Sequence, residues 1–169
     1  MALFGNPEFN SLEDLFVNQL EDLYDAEHRI IRALPKMSEA AQSSQLKQAF
    51  DKHLGETRNH VDRLDTIFRE LSRTPQRETC EAMKGLLREG EEMIDAKGDP
   101  AIRDAALIAA AQRVEHYEMA GYGTARSLAT QLGHTDAARL LQQTLDEEKA
   151  ADSKLTEVAE NSVNVTALH

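Results

Sequence analysis

Apolar residues recur along the chain at alternating steps of four and three. In residues 11–40 they are Phe16, Leu20, Leu23, Ile30, Leu34 and Met37, with Glu27 filling the one remaining place. That spacing puts them on one stripe of a helix and is the seam of a helical bundle. Residues 135–160 repeat it with Leu141, Leu145, Glu148, Asp152, Leu155 and Ala159. The helix opening at Asp99 repeats it with Ile108, Ala111, Glu115, Glu118, Tyr122, Ala125, Ala129 and Leu132. A less regular fourth stripe reads Leu46, Phe50, His53, Glu56 with Thr57, His60, Leu64, Ile67 and Leu71. In each stripe the polar interruption is central.

Breakers fall between the stripes, at Ser43-Ser44, Thr74-Pro75, Gly98-Asp99-Pro100 and Gly133-His134-Thr135. They predict long helices over about 11–40, 44–72, 100–132 and 135–160, with Ser11 and Asp99 as N-caps and Pro35 bending the first. A shorter helix is expected at about 77–96, on a stripe of Met83, Leu86 or Leu87, Gly90 and Ile94. Residues 1–10 and 161–169 read as tails, the latter loose. Two short connections force antiparallel hairpins, while the second and third long helices are joined by a crossover carrying its own helix. The expected fold is all-α: one domain over 11–160, a ferritin-like antiparallel four-helix bundle with one long crossover and an extra short helix.

In an antiparallel hairpin, residues level with each other average to the turn. The midpoint of Glu27 and Glu56 falls in the turn at residues 41–43, and that of Glu118 and Glu148 on Gly133. Each lies about 15 residues, or roughly 22 Å, from its turn. All four sites are therefore expected to converge at one level.

Six carboxylates near the axis, Glu27, Glu56, Glu115, Glu118, Glu148 and Asp152, cannot all stay ionised there, since burying each charge costs several kcal/mol. No Lys or Arg occurs on the seams to offset them. Protonation, opening to water, or cation binding would each relieve the layer. Six negative charges with one or two imidazoles match two metal ions, and hard oxygen donors with imidazole favour iron or manganese. His53 and His60 are the candidate imidazoles, whereas His28, His116, His134 and His169 read as surface residues. Tyr122 reads as a core aromatic with a satisfied hydroxyl.

The whole chain has 169 residues and a formal charge of −11. That sign argues against nucleic acid and anionic membranes as partners. The single Cys80 excludes a disulfide framework and a rubredoxin-type iron site, and is expected to be inert. With no basic, apolar leader at the N-terminus and no long uncharged apolar run, a cytoplasmic home is expected.

The arrangement resembles the di-metal carboxylate proteins of the ferritin-like superfamily, and rubrerythrins more closely, because Glu115-His116-Tyr117-Glu118 places a second Glu three residues after the first. It departs from them where Asp152 and Asn59 stand at positions held by His. Leu-Tyr-Asp-Ala-Glu-His (23–28), His-Leu-Gly-Glu-Thr (53–57), Arg-Asp-Ala-Ala-Leu-Ile-Ala-Ala-Ala-Gln-Arg-Val-Glu-His-Tyr-Glu (103–118) and Leu-Asp-Glu-Glu-Lys-Ala-Ala-Asp (145–152) identify the chain as similar to the YciE/YciF family of bacterial stress proteins. That resemblance implies a bundle with a metal site, often dimeric and linked to stress, and carries no settled reaction.

Two functions follow as expectations. The first is a di-iron or di-manganese oxidoreductase-like protein handling peroxide, oxygen or ferrous iron, with Glu56 and Glu148 bridging, Glu27 and Glu115 terminal, and Glu118 an extra ligand. With no attached rubredoxin, its electron donor would be a separate molecule. The second is a non-catalytic stress protein acting through dimerisation or partner binding. Second stripes at Leu12, Leu15 and Ile31, and at Leu107, Val114, Tyr117 and Leu128, suggest a homodimer unless they meet the crossover helix.

Overall fold

The computed structural model describes residues 8–76 and 78–168. Among them the elements are α1 (Leu12–Ala40), α2 (Ser44–Glu70), α3 (Glu81–Ile94), α4 (Pro100–Leu132) and α5 (Thr135–Val158), then a π-helical turn (Ala159–Val163) and a single turn, α6 (Asn164–Thr166). The helix starts are set by side chains that accept otherwise orphaned backbone donors. Ser11 accepts from Asp14 N, Ser43 from Leu46 N and Asp99 from Ala101 N. α4 ends at Gly133 with φ 80°, the left-handed conformation that glycine adopts without steric cost. Pro35 sits inside α1 without ending it.

α1 and α2 form one hairpin and α4 and α5 the other; α1 packs on α4 and α2 on α5, closing a ferritin-like four-helix bundle. The two hairpins are pinned at both ends. At one, the buried Asp104 of α4 accepts the N–H groups of Gln42 and Ser43 at 2.9 and 2.7 Å. At the other, His134 Nε2 lies 3.1 Å from Glu13 Oε2. Crossover helix α3 covers the outer groove between α1 and α4.

The core has two apolar halves. One is built from Ile30, Leu34, Phe50, Ile108 and Leu155, with Met83 of α3; the other from Phe16, Leu20, Leu64, Ile67 and Leu141. Between them each long helix contributes its central polar residues.

Several expectations change here. α2 ends two residues early, at Glu70, and α3 spans Glu81–Ile94, shorter than 77–96 at both ends, residue 77 lying outside the described residues. Cys80 lies just outside α3 as its N-cap, its Sγ accepting from Met83 N. The C-terminal segment is helical instead of loose, because the π turn brings Val163 into the core. The second stripe of α4 is largely spent within the chain: Leu107 and Val114 are buried and Tyr117 half-buried against α3. His28 and His134 are half-buried, against the rings of Tyr24 and Phe16. Residues 1–7 of the expected N-terminal tail, and His169, lie outside the described residues.

Candidate metal centre

The central layer forms two groups of side chains. Glu27 of α1, His60 of α2 and Glu148 of α5 make the first; His53 of α2, Glu115 and Glu118 of α4 and the same Glu148 make the second. Within each, one donor atom from every residue lies within 4.8 Å of the others. Helical periodicity explains the convergence. His53 and His60 are two turns apart on one face of α2, and Glu115 and Glu118 are nearly one turn apart on α4. Glu148 faces both groups, its Oε1 lying 3.0 Å from His60 Nδ1 and its Oε2 3.5 Å from His53 Nε2.

The first group is held from outside. His60 Nε2 donates to Glu147 Oε2 at 2.9 Å, and Arg63 grips that carboxylate with two donors at 2.7 and 2.8 Å. Tyr122 donates its hydroxyl to Glu27, whose Oε1 lies 3.2 Å from His60 Nδ1. In the second group His53 Nδ1 contacts Glu56 Oε2 at 3.4 Å, Lys52 donates to Glu56 Oε1 at 2.5 Å, and His53 Nε2 lies 3.4 Å from Glu115 Oε1.

These residues fit a pair of metal ions. Buried polar atoms in folded proteins are nearly always hydrogen-bonded, yet here Glu27 Oε2, Glu115 Oε2 and both oxygens of Glu118 and Glu148 lack a partner among the described residues. The inward nitrogens, His53 Nε2 and His60 Nδ1, lack one too, because their short contacts to carboxylates do not have hydrogen-bond direction. Each ring uses its outward nitrogen on a carboxylate, which leaves the inward lone pair for a ligand bond.

Protons compensate this charge in the metal-free layer. Burial, reinforced by neighbouring carboxylates, raises Glu115 and Glu118 well above the carboxylate range. Burial also raises Glu148, with His60 opposing it. Burial alone would lower His60, but Glu27 and Glu148 push it up to about 11. His53 goes up as well, burial being outweighed by Glu115 and Glu56. The rim goes the other way: Glu56 is held at about 2, chiefly by His53, and Glu147 is lowered, chiefly by Arg63.

Of the eight candidate residues, six therefore meet in the two groups and two stand at the rim. Across the α1–α2 hairpin Glu27 faces His60, not Glu56, which is half-buried behind His53. Asp152 is half-buried and accepts from the Gln112 amide at 3.0 Å, with His116 Nε2 at 3.4 Å. Asn59 is exposed, so the imidazole one position later takes the inward place. Sequence reasoning missed Glu147 and Arg63. Their signal was adjacency: Arg63 follows His60 by three, and Glu147 precedes Glu148 on the shoulder of the seam.

Residues 11–168 match the family model described as "Domain of unknown function (DUF892)". This chain belongs to the DUF892 family. The chain is similar to Protein YciF of Escherichia coli K12, 48% identical over 158 residues that cover 93% of this chain and 95% of the relative. The crystal structure of the E. coli stress protein YciF superposes with a TM-score of 0.89, covering 92% of this chain and 99% of that one. YcfI of Rhodopseudomonas palustris, 43% identical, superposes with a TM-score of 0.86 over 90% and 98% of the two chains. A two-domain protein of Anabaena variabilis with DJ-1/ThiJ/PfpI-like and ferritin-like domains matches at 14% identity and a TM-score of 0.61, over 97% of this chain and 45% of that one, a likeness of fold.

Proposed function

We propose that this DUF892 chain is a cytoplasmic stress protein that binds two ions of iron or manganese and handles peroxide, oxygen or ferrous iron. The observation that supports it is Glu148, buried, with each oxygen turned to a different imidazole and with no hydrogen-bond partner. In this reading Glu148 is shared by both ions, with Glu27 and His60 on one side and Glu115, Glu118 and His53 on the other. When bound, such a pair supplies Lewis acidity and one-electron couples. The chain's own residues do the rest. Tyr122 orients Glu27, the Arg63–Glu147 pair orients His60, Glu56 orients His53, and Asp152 stays at the rim. The two apolar halves of the core keep bulk water from the layer. Its one Cys builds no rubredoxin site within these 169 residues, so in this reading reducing electrons reach the layer from a donor outside the bundle.

The chain is also proposed to act as a homodimer, supported by the exposed apolar side chains Ile102, Val165 and Leu168. Light scattering should then give a mass near twice 18.9 kDa.

Anaerobic titration with ferrous iron followed by metal analysis tests the centre, with about two ions per chain expected. Substoichiometric iron that is stripped at once by chelator and unchanged in Glu148→Ala would refute it. Loaded protein that takes up two ions but consumes no peroxide or oxygen would favour the non-catalytic reading.

A further inference from the structure

A cleft of about 660 Å³ runs between α1 and α3 on the outside of the bundle, separate from the central layer. In a chain of net charge −11 it is lined by five cations, Arg29, Arg32 and Lys36 from α1 and Lys84 and Arg88 from α3, against two acids, Glu81 and Glu91. The spacings of three and four residues put each set on one helix face, so two rows of positive charge border one cleft.

Three of the cations are anchored. Lys36 reaches across to Glu91 at 2.9 Å, Lys84 pairs with Glu81 at 3.2 Å, and Arg29 Nε donates to Asp25 at 2.5 Å. Asp25 is buried and accepts Cys80 N through the same oxygen at 2.9 Å. One carboxylate thus fixes both the Arg29 guanidinium and the start of α3, and leaves the terminal nitrogens of Arg29 unbonded among the described residues. Arg32 and Arg88 are exposed and pair with no described carboxylate. Holding unpaired like charges on two facing walls is unfavourable. A bound anion reverses the sign of that energy, and guanidinium forks match phosphate oxygens two at a time.

Dimensions restrict the anion. The row from Arg29 to Lys36 covers about 10 Å of helix, and the volume lies in the range of small-molecule sites. A long polyanion would extend past the cleft over a surface that is acidic overall. The cleft also offers Ala33 and Leu87, apolar contacts for a flat, uncharged body.

We propose that the α1–α3 cleft binds a small ligand carrying linked phosphates, of the class of inorganic pyrophosphate or a nucleoside diphosphate. Arg32 and Arg88 are its principal contacts, and Arg29 is a preset third. This site does not depend on the metal reading.

Isothermal calorimetry on the full, metal-free chain at about 0.15 M ionic strength tests it with pyrophosphate, ADP, inorganic phosphate and a short DNA duplex. Saturable one-to-one binding of pyrophosphate or ADP is expected, tighter than phosphate. Tighter ADP would show that the apolar contacts are used; equal affinities would assign the site to the diphosphate group alone. The double variant Arg32→Glu/Arg88→Glu should weaken binding by about tenfold or more, as for the loss of one or more charge-assisted bonds. Arg32→Lys/Arg88→Lys should keep most of it. Both variants should melt like the parent and take up the same amount of ferrous iron. No saturable binding of either diphosphate, equal binding by the charge-reversed variant, or tighter binding of the duplex than of ADP would overturn the proposal.

Discussion

The two halves of the central layer share Glu148 yet are built on opposite principles. Around His60 each outward contact is a firm hydrogen bond, from the ring to Glu147, from Arg63 to Glu147 and from Tyr122 to Glu27. Around His53 the outward contact to Glu56 is long, at 3.4 Å, and Glu118 has no hydrogen bond to either oxygen. The first half keeps its ligand geometry without a cation. The second is held neutral by protons, which a cation would displace. Preorganisation and proton storage are alternative answers to the same burial of charge.

Removing the shared residue should have the largest effect. Glu148→Ala leaves neither half with its full donor set, so iron per chain should fall from about two ions to near none, while Glu118→Ala should keep the ion at His60. Equal losses in the two variants, measured by metal analysis after anaerobic loading, would break the distinction between the halves. Next is the support behind His60: Glu147→Gln should weaken metal affinity about 10- to 100-fold, and Glu56→Gln less, because its contact is longer. Competition with a chelator of known affinity reads both.

The protons held in the metal-free layer, on carboxylates of the His53 half and on His60 itself, make a prediction about pH. Glu115, Glu118 and His60 all have folded pKa values above their ordinary ones, so proton binding stabilises the metal-free fold. That stability is complete below the unfolded pKa values, about 4.3 for Glu and 6.5 for His, and is lost as pH rises toward the folded values, about 11 for His60. Glu56 and Glu147 have the opposite sign, but their stabilisation is complete above the ordinary Glu range and stays constant from neutral pH upward. Calorimetry should show the metal-free Tm falling between about pH 6 and pH 9, with the loaded protein much flatter. Glu118→Leu should flatten the metal-free curve and raise stability by about 1–3 kcal/mol. The smallest effect is expected for Tyr122→Phe, about 1 kcal/mol, confined to the His60 half because only Glu27 loses a bond.

Much of this was legible along the chain because a bundle seam is a local pattern. All seven seam residues of α1, Glu27 included, are buried where their spacing puts them. Glu56 shows where spacing loses resolution. At about 100° per residue, Thr57 lies close to the centre of the α2 stripe and Glu56 roughly 70° off it, so Thr57 is buried, its hydroxyl donating to His53 O, and the Glu56 carboxylate stays at the shoulder. For Asp152 the phase was adequate, and what draws its carboxylate aside is Gln112, a residue on another helix. Glu147 and Arg63 were hidden for the same reason, since their value comes from a contact across α2 and α5. The covering of the second α4 stripe by α3 depends on the path of the crossover, which no local spacing specifies.

The π-helical turn at Ala159–Val163 has a consequence for chain length. In an α-helix a five-residue step is about 1.4 turns and points a side chain away from its start, whereas a π turn closes on the fifth residue. Val163 therefore faces the core beside Val158. Deleting one residue between them, such as Asn161, would let the turn relax to α geometry with the two valines four apart and still on one face. The same deletion within the seams of α1, α2, α4 or α5 would rotate one part of the helix against the other by about 100°, and no such turn is there to absorb the loss before the inward carboxylates and imidazoles fall out of register. Tolerance to a change of length is thus concentrated at this turn, beyond the last residue that the central layer needs.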